Sequence, residues 1–142
     1  MMEYQKEAHK VYSLIYHVIF VVKYRQRVFQ EGHVIINEAK DRIVELSRDS
    51  DVKILEIECG IDHVHLLIRA KPTLGIPKWI NSVKGNTSRF LRENHANYLR
   101  DKLWGDHFWN PSYFIAMTGN VSIDVLKQYI EDQRGRLARD DD

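Results

Sequence analysis

A chain of 142 residues with 44% hydrophobic and 11% aromatic residues holds enough apolar material for one compact domain spanning 1–142, a composition unlike that of disordered chains. Lys and Arg total 21 against 20 Asp and Glu, a net charge of +1, so a polyanion must be met by local charge and not by bulk basicity. One cysteine, Cys59, excludes an intrachain disulfide framework and a cysteine-rich zinc site.

The first strong segment, Val11 to Lys23, is dense in β-branched and aromatic residues and predicts a long buried strand. Its apolar run, Leu14 to Val22, is interrupted by His17 and is too short to span a bilayer; the start of the chain resembles no signal peptide, so a cytoplasmic protein without a membrane is expected. From His33 to Arg48, Ile35, Ala39, Ile43, Val44 and Leu46 recur near a 3.6 period, the mark of an amphipathic helix. Val52 to Cys59 approximates strand alternation, Gly60-Ile61-Asp62 is a turn, and His63 to Arg69 is the return strand of a hairpin. Thr73, Pro77 and the apolar positions Ile76, Ile80, Val83, Phe90 and Leu91 predict a second helix ending near His95. Phe108 to Met117 reads as a strand stopped by Gly119-Asn120, and a last helix opens at Ser122 and runs past Gln133. The order βαββαβ predicts an α+β, ferredoxin-like (RRM-like) antiparallel sheet with two helices on one face, followed by a C-terminal helix.

Three constellations can carry chemistry. His63 and His65 lie two apart on a strand, so both project from one face and can converge on an ion; the same spacing also serves two surface imidazoles bonded to neighbours. Tyr129 and Gln133 lie four apart on the last helix and share a face, as do the apolar residues of an ordinary core stripe. Between Lys78 and Lys102, six cations and two acids give a local net charge of +4, with Lys84, Arg89 and Arg92 interleaved among small polar residues suited to phosphate oxygens. Lys23-Tyr24-Arg25 sets cations beside an aromatic at the end of the first strand, a combination suited to an unpaired nucleic-acid strand. Cys59, on an alternating strand, is read as a structural thiol before a soft metal ligand.

Tyr16-His17-Val18-Ile19-Phe20-Val21-Val22-Lys23-Tyr24-Arg25, Asp62-His63-Val64-His65-Leu66-Leu67, Trp79 to Leu91 and Tyr129-Ile130-Glu131-Asp132-Gln133 occur in that order, and together they resemble the single-tyrosine HUH transposases of small bacterial and archaeal insertion sequences. The resemblance runs from about Val11 to Arg136, and Asp132-Gln133 is similar to the insertion-sequence type. It implies an endonuclease and strand transferase on single-stranded DNA with subterminal hairpins. It further implies Mg²⁺ or Mn²⁺ on His63, His65 and Gln133, and Tyr129 as the nucleophile that leaves a 5′-phosphotyrosine and a free 3′-hydroxyl. A homodimer with active sites shared between subunits is implied as well. Imidazole ligands suit Mn²⁺ or Zn²⁺ better than Mg²⁺, so ligand type does not fix the ion. Lys23, Arg25, Lys84, Arg89 and Arg92 are the expected DNA contacts. The competing readings are a non-catalytic ferredoxin-like nucleic-acid-binding module and a metal site that only holds a dimer together.

Overall fold

The computed structural model describes residues 14–103, 105–117 and 127–132. β1 (Leu14–Val22) passes through a single 3₁₀ turn, Lys23–Arg25, to helix α1 (Val34–Asp49). The hairpin β2 (Lys53–Gly60) and β3 (His63–Ala70) follows, then α2 (Ile76–Asn94), a short α3 (Ala96–Arg100) and β4 (Trp109–Met117). Residues 127–132 are helical. The strands form one four-stranded sheet in the order β2-β3-β1-β4, each neighbouring pair antiparallel. The protein is therefore α+β, with helices against an antiparallel sheet.

Local chemistry explains the boundaries. His33 caps α1: its Nδ1 accepts from the Ile35 amide at 3.0 Å, satisfying one of the free donors of the first turn. The buried stripe of α1 is Ile35, Ala39, Ile43 and Ser47, four apart throughout; the Ser47 hydroxyl is tolerated there because it donates to the Ile43 carbonyl at 2.7 Å. Pro77, in the first turn of α2, occupies a position where the missing N–H has no helical partner anyway. The helix expected to end near His95 ends at Asn94 with His95 as its C-cap, and the short α3 that follows buries Leu99.

Strand alternation divides the sheet into two faces. Val18, Phe20, Val22, Val64, Leu66, Ile68 and Ala70 point to the helices and form the core with Ile35, Ala39, Ile43, Ile80, Val83 and Leu91. His17, Ile19, Val21, His63, His65 and Leu67 lie on the other face by the same alternation. Cys59 pairs with Val64 and packs against the core, so it stands on the opposite face from His63 and His65, and burial pushes its thiol up to about 11.

β4 carries more residues than β1 between their last two pairings: Phe20 faces Tyr113, but Val22 faces Trp109. Such a bulge leaves carbonyls outside the ladder. Lys84 fills that need. Its Nζ donates to the carbonyls of Asn110, Pro111 and Ser112 at 2.7, 3.3 and 3.3 Å. The Trp109 indole N–H in turn donates to the Lys84 carbonyl at 3.1 Å, tying α2 to the start of β4 in both directions.

Candidate active site

His63 opens β3, directly after the two-residue turn Ile61-Asp62. That turn is fixed to the end of β1, with the Val22 amide bonded to the Asp62 carbonyl at 2.9 Å and the Phe29 amide to the Ile61 carbonyl at 3.0 Å. His63 pairs with Val21 on one side and Gly60 on the other. Its ring lies over Gly60: a Cβ there would stand 2.2 Å from Cε1, so only glycine admits this ring position. His63 Nδ1 is 2.8 Å from Asp62 Oδ1, and Asp62 Oδ2 is 2.7 Å from Arg25 Nε. The Asp62 side chain is only 6% exposed. Burial alone would raise its pKa, but hydrogen bonds from His63 and Arg25, followed by their charges, outweigh burial and hold the carboxyl below its ordinary value. An ionised carboxylate only accepts, so Nδ1 of His63 carries the proton of the contact and Nε2 is the ring nitrogen turned away from Asp62.

His65, two residues on, pairs with Ile19 and Glu58. Its Nε2 is 3.0 Å from Nδ1 of His17, and the two rings stack with centroids 5.2 Å apart. Burial, then the charges of His17 and His63, push His65 below the ordinary imidazole value, against an opposing pull from Glu56 and Glu58. It is thus a neutral imidazole at neutral pH, the form that ligates metals.

Tyr129 reaches the same face from the far side of β1. Its ring packs on Phe114, which pairs with Ile19, at a centroid distance of 5.2 Å; its hydroxyl is 3.4 Å from the Ser112 hydroxyl. The residue is half-buried, neither sealed in the core nor fully exposed. Ile19 therefore separates His65 on one neighbouring strand from Phe114, the platform of Tyr129, on the other. With strands about 4.8 Å apart, the imidazole and phenol supports are about 10 Å apart across the sheet.

The residue types fit a divalent ion. His63 offers a free nitrogen backed by a carboxylate, the usual outer partner of a metal-binding histidine, and His65 is held neutral beside it. Among the described residues no three histidine, cysteine or carboxylate side chains converge as a ready metal cluster. Gln133, the expected third ligand, the helix start at Ser122 and the strand start at Val11 all lie outside the described residues.

The expected DNA contacts separate into two groups. Arg89 is exposed on α2. Lys23 is half-buried with its ammonium over the Tyr24 ring, 5.0 Å from the centroid. Arg92, also half-buried, donates to the Gly105 carbonyl at 3.4 Å. The other two are committed elsewhere: Arg25 to Asp62, and Lys84 to the β4 bulge. Lys84 is only 7% exposed, and burial lowers its pKa to about 8. Here the ammonium is enclosed by three carbonyls and ties α2 to β4, where its place in a basic helix suggests a solvent-facing position. His17, Gly60 and Asp62 were not singled out by spacing as site residues. Asp62 carried the one legible signal, an acid adjoining the first histidine.

The comparisons with known proteins agree along nearly the whole length. The family described as "Transposase IS200 like" matches residues 10–133. The chain belongs to the IS200-like transposase family. Among relatives of this family member, the ISDra2 transposase TnpA of Deinococcus radiodurans is 33% identical over 139 residues, covering 95% of this chain and 94% of that one. The transposase for insertion sequence element IS200 of Salmonella typhimurium is 28% identical over 131 residues, covering 89% and 84%. A crystal structure from Deinococcus radiodurans R1, described as that of a candidate transposase, superposes with a TM-score of 0.77 at 30% identity, covering 86% of this chain and 92% of the other. A REP-associated tyrosine transposase bound to a REP hairpin shares the fold, with a TM-score of 0.53 at 12% identity over 84% and 61% of the two chains.

Proposed function

We propose that this family member is a metal-dependent single-stranded DNA transposase that cuts and rejoins DNA at insertion-sequence ends through a 5′-phosphotyrosine. The observation that carries the proposal is the placement of two polar-anchored imidazoles and a half-buried phenol on one face of one sheet. Strand order β2-β3-β1-β4 supports the ferredoxin-like reading, and the helical residues 127–132 support a C-terminal helix bearing Tyr129.

In the reaction, Tyr129 Oη attacks the scissile phosphorus, the bond from phosphorus to the 3′ oxygen breaks, and the phenolic proton is balanced by the proton gained on the departing 3′-hydroxyl. The phosphodiester's reactivity is retained in the tyrosyl ester, so a 3′-hydroxyl can reseal the strand with no nucleotide cofactor. The ordinary phenol pKa near 10 makes deprotonation at neutral pH cost about 4 kcal/mol. His63, His65 and Gln133 would hold Mg²⁺ or Mn²⁺, which would supply charge neutralisation at the phosphate worth several kcal/mol. His63 presents Nε2 because Asp62 occupies Nδ1; His65 must exchange its contact with His17 to present Nε2 likewise. Ser112 steadies the phenol beside the Phe114 ring.

The proposed substrate is single-stranded DNA with subterminal hairpins, in keeping with the hairpin bound to the REP-associated enzyme, and the working unit is a homodimer with shared active sites in the cytoplasm. Among the described residues no helix is long and apolar enough to cross a membrane. The test offers single-stranded DNA from the element's ends with Mn²⁺ to the full chain and looks for a protein–DNA adduct. An adduct that forms with the wild type and disappears in Tyr129→Phe is expected; one that persists undiminished in Tyr129→Phe overturns the assignment of the nucleophile.

A further inference from the structure

We propose that Arg25 and Asp62 are positioning residues: together they lock the His63 imidazole with its proton on Nδ1 and its Nε2 free. The inference deepens the metal-site reading above and rests on it only for its consequence, not for its geometry. Both oxygens of the Asp62 carboxylate are used, Oδ1 by His63 at 2.8 Å and Oδ2 by Arg25 Nε at 2.7 Å. A carboxylate pinned at one oxygen cannot rotate away from the partner at the other. The backbone under it is equally fixed, since the Asp62 carbonyl accepts from Val22 and the neighbouring Ile61 carbonyl from Phe29.

What singles out Arg25 is the local conformation spent on aiming it. Tyr24 and Arg25 are consecutive non-glycine residues in the left-handed region, with φ of 58° and 50°. Non-glycine side chains seldom adopt that region, and two in succession persist only where surrounding contacts over-determine them. Here the compensating contact is the ion pair with Asp62. Arg25 Nη1 is moreover buried without a hydrogen-bond partner among the described residues, a second unfavourable feature in the same side chain. Local rules broken twice at one residue mark a position held for function. Gly60 completes the device from below, leaving the only space in which the ring can take this orientation.

Arginine suits the task because the planar guanidinium holds a carboxylate in a fixed direction, whereas a lysine ammonium swings on a flexible stem. Fixing the tautomer matters because free histidine favours the proton on Nε2, the nitrogen that this site must keep open. Carboxylates that hold the far nitrogen of a metal-binding histidine change metal affinity by about 10–100-fold when removed.

The experiment uses the full-length, metal-free chain labelled with ¹⁵N-histidine, at neutral pH, and reads the His63 ring nitrogens by NMR. In the wild type, His63 is expected as the Nδ1–H form. Asp62→Ala should return it to the Nε2–H form, and Arg25→Met should give a mixture of the two. Asp62→Asn keeps an acceptor for Nδ1–H but loses the ion pair, so it should retain more of the wild-type tautomer than Asp62→Ala does. It also provides a readable variant if Asp62→Ala does not fold. Direct Mn²⁺ titration should show affinity falling about 10–100-fold in Asp62→Ala and less in Asp62→Asn. A wild-type His63 protonated on Nε2, or a tautomer indifferent to both Asp62→Ala and Arg25→Met, overturns the proposal. A variant-dependent tautomer in a wild type that binds no Mn²⁺ leaves this relay standing and removes the metal reading instead.

Discussion

Along β3, side chains one residue apart meet opposite environments. Val64, Leu66 and Ile68 are fully buried beneath α1 and α2, while His63 and His65, between and beside them, sit half-buried on the other face. The helix-facing side is held by apolar contact, which has no direction and tolerates small displacements. The histidine side is held by short directional contacts, His63 to Asp62 and His65 to His17, in which a displacement of an ångström breaks the arrangement. The two faces of one strand thus differ in kind: β3 buries its apolar side chains on one and sets the candidate site on the other.

That division breaks if a substitution on either face produces the other face's effect. The largest expected effect is on the helix side. Phe20 is fully buried, with its ring edge-on to Trp109, and Phe20→Ala should cost about 3–5 kcal/mol in a denaturant titration. A loss below about 1 kcal/mol would show that this face does not carry the stability assigned to it. Next comes Gly60→Ala, whose new methyl collides with the His63 ring. Mn²⁺ affinity should fall about 10–100-fold while the melting temperature moves little. Equal Mn²⁺ binding by the two proteins would mean that the ring position over Gly60 is irrelevant to the site.

Lys84→Met sharpens the comparison at the edge where both faces meet. Removing the ammonium takes one donor away from each of three carbonyls and should cost about 1–3 kcal/mol. The pH dependence has a definite sign. The folded pKa of about 8 lies below the ordinary lysine value of 10.5, so as pH rises through that interval the native state releases a proton that the unfolded chain retains. Stability of the wild type should therefore rise across the interval relative to the variant, and parallel curves would show that Lys84 titrates normally. The smallest effect belongs to the exposed Arg89. Arg89→Gln should flatten the salt dependence of single-stranded DNA affinity by about 0.7 per lost phosphate contact, and an unchanged slope removes this position from the DNA surface.

Much of the scaffold was legible because periodicity follows burial. The alternation of β1 and β3 and the i, i+4 stripe of α1 are direct records of a covered face, and the resemblance carried by the tyrosine and histidine segments led to the family found by comparison. What escaped has a common cause. Asp62, His17 and Lys84 act through partners 37, 48 and 26 residues away, and no local period encodes such pairings. Lys84 is instructive, because its basic neighbours on α2 argue for solvent while its own side chain reaches the bulge. Gly60 reads as a turn former in the sequence, yet it pairs within the ladder and is required for room.

The bulge also bears on how this protein meets others. Among the described residues β4 is an outer strand, and the margin of an outer strand invites backbone pairing from solution. Over its opening residues that invitation is withdrawn: Pro111 has no amide hydrogen to offer, and the carbonyls of 110–112 already accept from a buried ammonium. Aggregation through that end of the sheet is thereby discouraged, with no need for a charged residue on the rim.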